Sequence, residues 1–276
     1  MLKEIFVINL EKDINRLENI KKNFNDYNIK FSRFNGIYGK NLSKDEINLN
    51  TSLLCRTLFC NKGIIGSGMS HFLLLKLIAS KPDGWYMICE DDINFDEKSL
   101  QYIQKILDFL KGRENEAIMV NLNSCNAYNY NNNSKFLIKS NSYICGISCY
   151  IISSEAAKKL SNYITEKKIN RYIDIQMSFC NCGLNYYYTP FPIVKDSTFG
   201  GFKTSNNMKV LYSIPFIQFI IDLFLPYKWS SIINFRLNIP IICFFLKFCI
   251  TIGQIFIIIL AISNIFIIKS FWINNY

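Results

Sequence analysis

Apolar and polar positions fall into two alternating rhythms over the first 200 residues. Residues 4–10, EIFVINL, are an apolar run of strand length, and in the polar stretch that follows Leu17, Ile20 and Phe24 recur at helical spacing. Residues 31–34 predict a second short strand and 35–41 a Gly-containing turn, while 44–61 is weakly patterned and reads as a surface connection. In KGIIGSGMSHFLLLKLIA (62–79), Gly63, Gly66 and Gly68 are expected to form a flexible entry, with Ser70 as N-cap of an apolar helix over 72–79. Tyr86 to Phe95, YMICEDDINF, follows the turn-like Pro82-Asp83-Gly84 and has the form of a strand covered on both faces. Beyond it the pattern predicts a helix over 100–110, a strand over 117–123, an Asn/Tyr-rich loop over 126–134 and one or two strands over 143–153. A helix capped by Ser154, a segment 171–179 and a last strand over 186–194, interrupted by Pro190 and Pro192, complete this part. Strands alternating with helices predict an α/β domain with a parallel or mixed sheet.

From Met208 on the pattern changes. Residues 210–225 are almost wholly apolar, and 248–268 contain no charge over 21 residues, which as a helix would span about 31 Å, enough for a bilayer core. The expected organisation is a domain over 1–207 and a hydrophobic membrane-anchoring segment over 208–276, with one transmembrane helix near 248–268. Lys203, Lys209, Lys228, Arg236 and Lys247 precede that span and only Lys269 follows it, which keeps the domain on the cytoplasmic face.

Charge and cysteine content narrow the picture. Lys and Arg total 31 against 21 acids, a formal +10, and this surplus suits phosphate-bearing ligands and anionic lipid equally. No block of basic residues interleaved with aromatics appears, so nucleic acid is not an expected partner. MLKEIFVINL is too short and too soon interrupted by charge to be a secretory signal. The ten cysteines lack zinc-knuckle spacing and are expected to be reduced thiols in a cytosolic chain.

The candidate chemistry centres on Glu90, Asp91 and Asp92. Ligands of α/β sheets sit beyond the carboxyl ends of the strands, where these acids emerge. Strand alternation puts Glu90 and Asp92 on one side and Asp91 on the other. Mutual repulsion is offset if a divalent cation or a substrate binds there; the other reading is a solvated acidic loop. Arg16, after the first strand, is either a diphosphate ligand or a solvated helix-start charge. His71 is either a catalyst or a packed, hydrogen-bonded residue. Asp174, set among Tyr172, Ile173 and Ile175, is either a general base or an ordinary helix-face acid.

In order along the chain, FVINLEKDINRLENI, RFNGIYGKNLS, GIIGSGMSH, YMICEDD and GISCYIISSEAAKKL resemble glycosyltransferase family 25, the lipopolysaccharide-biosynthesis galactosyltransferase family. The resemblance covers roughly residues 4 to 200. It implies a GT-A-like (Rossmann-like) fold and inverting transfer of a sugar, commonly galactose from UDP-galactose, to a glycan or glycolipid acceptor. By the same resemblance Asn9 and Arg16 lie on the nucleotide side, Ser70 and His71 belong to a motif near the site, and Asp174 is the candidate base. Asp92 is then expected to hold Mn²⁺ or Mg²⁺, and Glu90 or Asp91 to hold sugar or ribose hydroxyls. Two positions depart from the family pattern: Ser67 stands where Cys is usual, and Ile175 follows Asp174 where an acid is common. Two other classes share these features: a catalytically silent, membrane-tethered glycan-binding or scaffold protein, and a metal-dependent phosphohydrolase, which would want further acids or histidines at a second metal.

Overall fold

The computed structural model describes residues 2–123, 136–140 and 146–196. The strands are β1 (Leu2–Asn9), β2 (Ser32–Asn35), β3 (Trp85–Glu90), β4 (Ile93–Asn94), β5 (Ile118–Asn121), β6 (Ile138–Ser140), β7 (Cys149–Ser153), β8 (Asn185–Tyr188) and β9 (Lys195–Asp196). The helices are α1 (Ile14–Asp26), α2 (Lys44–Asn50), α3 (Lys62–Ala79), α4 (Glu97–Leu110), α5 (Ser154–Lys167) and α6 (Ile173–Ser178). Seven strands form one mixed sheet in the order β2-β1-β3-β7-β5-β8-β6, and β4 pairs with β9 beside it. β2 and β3 flank β1 and run parallel to it, whereas β7 is antiparallel to both β3 and β5.

Side-chain alternation divides the core into two layers. Tyr86 and Ile88 of β3 join Tyr150 and Ile152 of β7 under α3 and α5, where Leu74, Leu75, Ile78 and Leu160 are buried. Trp85, Met87 and Cys89 join Cys149 and Ile151 on the opposite face, under Leu17, Ile20 and Phe24 of α1 and Ile103, Ile106 and Leu110 of α4. The spacing of Leu17, Ile20 and Phe24 therefore does what its period predicts; burying a side chain such as Phe24 completely stabilises by about 2–3 kcal/mol. Because both faces are covered, β3 is apolar throughout until its last residue.

The entry to α3 differs from the sequence expectation. The helix begins eight residues before Ser70, at Lys62, and Asn61 is its N-cap, accepting from the Ile64 N–H at 2.9 Å. Gly66 and Gly68 are helical, so their role is close packing and not flexibility. A Cβ on Gly66 would lie 2.5 Å from the Ile37 carbonyl oxygen and 2.6 Å from the Gly39 nitrogen. Residues 37–39 thus rest directly on the helix backbone. The connection over 44–61 also has more order than its pattern shows, since Ser43 and Glu46 form a capping box at the start of α2. At α5 the cap is Ser153, not Ser154; its hydroxyl accepts from the Ala156 N–H at 3.1 Å.

The cysteines need correction too. Cys55 is bonded to Cys60 and Cys180 to Cys182, so four expected thiols are disulfides. Sequence spacing could not show that the Cys55–Phe59 turn brings its first residue to Cys60. Cys89 and Cys149 are free, buried register partners on β3 and β7 with sulfurs 3.4 Å apart. Burial, with the hydrogen bond to Cys149, pushes the Cys89 thiol well above its ordinary value. Alkylation of the native protein should therefore leave both cysteines unmodified and reach them only after denaturation, as read by peptide mapping; labelling of either before unfolding would contradict this packing.

Among the described residues no helix is long and apolar enough to cross a membrane. The candidate span over 248–268 and the Asn/Tyr-rich loop over 126–134 lie outside the described residues.

Candidate functional site

From β1 the chain moves to β2 on one side, then crosses back over β1 to β3 on the other. The connections therefore part between β1 and β3, and a crevice opens beyond the carboxyl ends of two such strands. Asn9 ends β1 and Glu90 ends β3. The strand stops at Glu90, and Asp91 and Asp92 form the turn into β4. Alternation consequently holds for the first two acids and fails for the third. Glu90 faces α3, Asp91 faces α1, and the turn brings Asp92 to the Asp91 side.

Arg16 joins the latter pair, with its Nη1 2.7 Å from Asp91 Oδ1 and 3.5 Å from Asp92 Oδ2. It occupies the first turn of α1, which contains no acid; the helix dipole disfavours a cation there, and the two carboxylates offset that cost. Asn9 donates to Asp91 Oδ2 at 2.6 Å and to the Asp13 carbonyl at 3.1 Å, while its own oxygen accepts from Arg33 Nε at 3.0 Å. Asp91 and Asp92 are 8% and 9% exposed. Burial raises the Asp91 carboxyl above its ordinary value, against the hydrogen bond from Asn9 and the charge of Arg16. For Arg16 burial acts downward, but the charges of Asp91, Asp92 and Asp13 leave it above its ordinary value. Both oxygens of Asp91 are thus engaged by protein. Among the described residues no group of three or more His, Cys, Asp or Glu side chains could hold a metal ion on its own.

On the α3 side, His71 Nε2 lies 3.3 Å from Glu90 Oε1, and Nδ1 lies 3.0 Å from the Tyr150 hydroxyl. The Glu90 side chain is 36% exposed, the most accessible of the three acids. Ser70 is occupied structurally: its hydroxyl donates to the Gly66 carbonyl at 2.7 Å and accepts from the Ile37 N–H at 2.8 Å, tying the loop to α3. These groups border a cleft of about 460 Å³, whose wall includes Arg16, Ser70, His71, Glu90 and Asp91. Lys40, Lys62 and Tyr38 line it as well, and the sequence had singled out none of them. Lysines are common on any surface, and only the contact of residues 37–39 with α3 makes these two neighbours.

Asp174 lies elsewhere, beside the residues that lead into β7. It is in the first turn of α6 and accepts from the Gly146 N–H at 3.2 Å and the Ile175 N–H at 2.8 Å. Gly146 also accepts from the Asn121 side chain, and two residues on, the Ser148 carbonyl accepts from the Glu90 N–H at 2.7 Å. One loop therefore separates Asp174 from the acidic strand end, and Asp174 is not among the residues lining the cleft.

Residues 2–177 match the family described as "Glycosyltransferase family 25 (LPS biosynthesis protein)". A protein of Acanthamoeba polyphaga mimivirus, R655, named as a candidate glycosyltransferase, is 30% identical over 106 residues, which is 38% of this chain. The chain spans about a third, 33%, of that relative's length. Among solved structures, a protein from Bacillus anthracis described as a candidate glucose-1-phosphate thymidylyltransferase, in complex with sucrose, matches over 70% of each chain at 10% identity. Its TM-score is 0.32, a likeness too slight to argue from. The family match takes in well over half the chain, from β1 into α6, and includes every strand and helix that borders the cleft, so the chain belongs to glycosyltransferase family 25.

Proposed function

We propose that the chain is an inverting glycosyltransferase of GT-A-like architecture that takes a nucleotide sugar, UDP-galactose first among candidates, and passes the sugar to a glycan or glycolipid acceptor of the lipopolysaccharide type. The observation that carries this reading is the cleft at the β1/β3 switch point, with basic Lys40 and Lys62 on its wall together with the half-exposed carboxylate of Glu90. Its volume of about 460 Å³ is in the usual range for small-ligand sites. Lysine ammonium groups suit a diphosphate as point charges. Arg16, by contrast, has its guanidinium turned to Asp91 and Asp92, and so serves the donor indirectly by holding the acidic turn.

Transfer needs charge stabilised on the departing nucleotide and a proton removed from the acceptor hydroxyl. Lys40 and Lys62 would do the first. Asp92 offers a hard oxygen for a Mn²⁺ or Mg²⁺ drawn mainly from substrate phosphates, as such ions usually are; when bound, that ion would add to the neutralisation of the diphosphate. For the second, Asp174 remains the candidate base, with backbone N–H groups of Gly146 and Ile175 already donating to its carboxylate. Glu90 is the carboxylate placed to hold a sugar hydroxyl. A hydrophobic anchor over 208–276 would keep the enzyme beside a lipid-linked acceptor. The distribution of Lys and Arg favours the cytoplasmic face, whereas disulfides are more typical of oxidising compartments.

The test is donor turnover by the full chain in detergent against UDP-, GDP- and CMP-sugars, with and without Mn²⁺. Turnover of one donor, reduced about 100-fold or more in Asp92→Ala, is the expected result. A folded chain that neither binds nor turns over any nucleotide sugar would overturn the transferase reading. Binding without transfer would point to the glycan-binding class, and phosphate release without sugar transfer to a hydrolase.

A further inference from the structure

His71 is the chain's one histidine, and both of its ring nitrogens face a partner. It is 1% exposed and Tyr150 0%, so a polar line runs from the sheet interior through His71 to Glu90 at the cleft wall. Strand register makes this possible. Tyr150 is the partner of Ile88, two residues before Glu90 and on the same face of the sheet.

Donor and acceptor chemistry gives the line a direction. A carboxylate oxygen accepts, so the hydrogen is placed on His71 Nε2, and that tautomer leaves Nδ1 bare to accept from the Tyr150 hydroxyl. Burial, followed by the charge of Glu90, pushes Tyr150 well above its ordinary range, and the phenol keeps its hydrogen. Glu90 itself is a flexible side chain on a partly open wall. A ligand hydroxyl binds more tightly to a carboxylate held in place beforehand than to one that must first be ordered.

We propose that Tyr150 and His71 are positioning residues: Tyr150 selects the Nε2–H tautomer of His71, and His71 holds Glu90 by one oxygen, leaving the other to a hydroxyl of the donor sugar. The hydroxyl contact rests on the transferase reading; the tautomer and the hold on Glu90 do not.

The test uses the full chain in detergent, purified without a histidine tag and labelled with ¹⁵N-histidine, so that a long-range ¹H–¹⁵N correlation reports His71 alone. The expected wild-type spectrum has one protonated nitrogen, Nε2, and a bare Nδ1 at neutral pH. Tyr150→Phe should mix the two tautomers and raise donor KM about five- to tenfold, the effect of one lost hydrogen bond, with kcat changed less than about twofold. His71→Gln, which retains an N–H donor, should bind donor better than His71→Leu. A wild-type Nδ1–H tautomer, two protonated nitrogens at neutral pH, or a Tyr150→Phe variant with a pure Nε2–H form and unchanged KM would each overturn the proposal. Should the variants fail to fold, the wild-type spectrum still decides the tautomer. Absence of donor turnover beside an Nε2–H tautomer that Tyr150→Phe disrupts would remove the transferase reading and leave the positioning pair standing.

Discussion

Arg16→Met is expected to lower stability by about 2–4 kcal/mol, a fall in Tm of about 5–12 °C, and to reduce donor turnover about 100-fold. The mutation removes the positive charge that faces two carboxylates at the end of β3. The Asp91 side chain is 7% exposed and cannot recover its hydration by turning to solvent. Stranding one member of a buried ion pair costs more than the pair contributes when intact, and solvent reaching Arg16, 16% exposed, reduces that cost. Arg16→Met combined with Asp91→Asn should regain part of the lost stability, since an amide bears no unpaired charge and can still meet Asn9. Thermal unfolding of the two single variants and the double variant checks this as a cycle. Additive losses would mean that Arg16 and Asp91 are not energetically coupled.

Gly66→Ala and Gly39→Ala should each destabilise by about 3 kcal/mol or more, at or above the upper end for overpacking, and close part of the cleft. A Cβ on Gly39 would lie 1.6 Å from the Lys62 carbonyl oxygen and 2.6 Å from its carbon, and one on Gly66 would meet Ile37 and Gly39 backbone. These are backbone atoms on both sides, so no rotamer change relieves the overlap. The helix and the 37–39 segment must separate, and with them go the Ile37-to-Ser70 hydrogen bond and the placement of Lys40 beside Lys62. Gly112→Ala is the comparison: nothing lies within 4 Å of its Cβ. Its φ of +77° limits the cost to about 1 kcal/mol of backbone strain. Chemical denaturation of the three variants measures the difference. Equal losses at all three positions would show that the helix–loop contact carries no special constraint.

These two sites mark where reading the chain by pattern succeeds and where it stops. α1 was legible because a helix that buries one stripe needs apolar residues at a fixed period, and Leu17, Ile20 and Phe24 supply it. β3 was legible because a strand covered on both faces has no polar position to spare before its end. The acids were visible as chemistry, since three adjacent charges after an apolar run read either as the end of a buried strand or as a solvated acidic loop, and the fold places them at the end of β3. Ser70 was misread because Gly and Ser before an apolar run resemble a helix start. The same residues serve equally well for close helix–backbone contact, and nothing local distinguishes the two uses.

The sequence by itself determined the α/β alternation, the apolar layers, the acidic strand end and, through five ordered motifs, the family. Each of these depends on neighbours along the chain or on recurring residue patterns. Only the tertiary structure decided that Arg16 faces Asp91 and Asp92, that Asp92 turns away from Glu90, that Tyr150 stands behind His71, and that Lys40 and Lys62 share a wall. Those partners are brought together by strand order, register and one close helix–loop contact. Such long-range pairings depend on how whole elements pack, and leave no periodic trace in the local sequence.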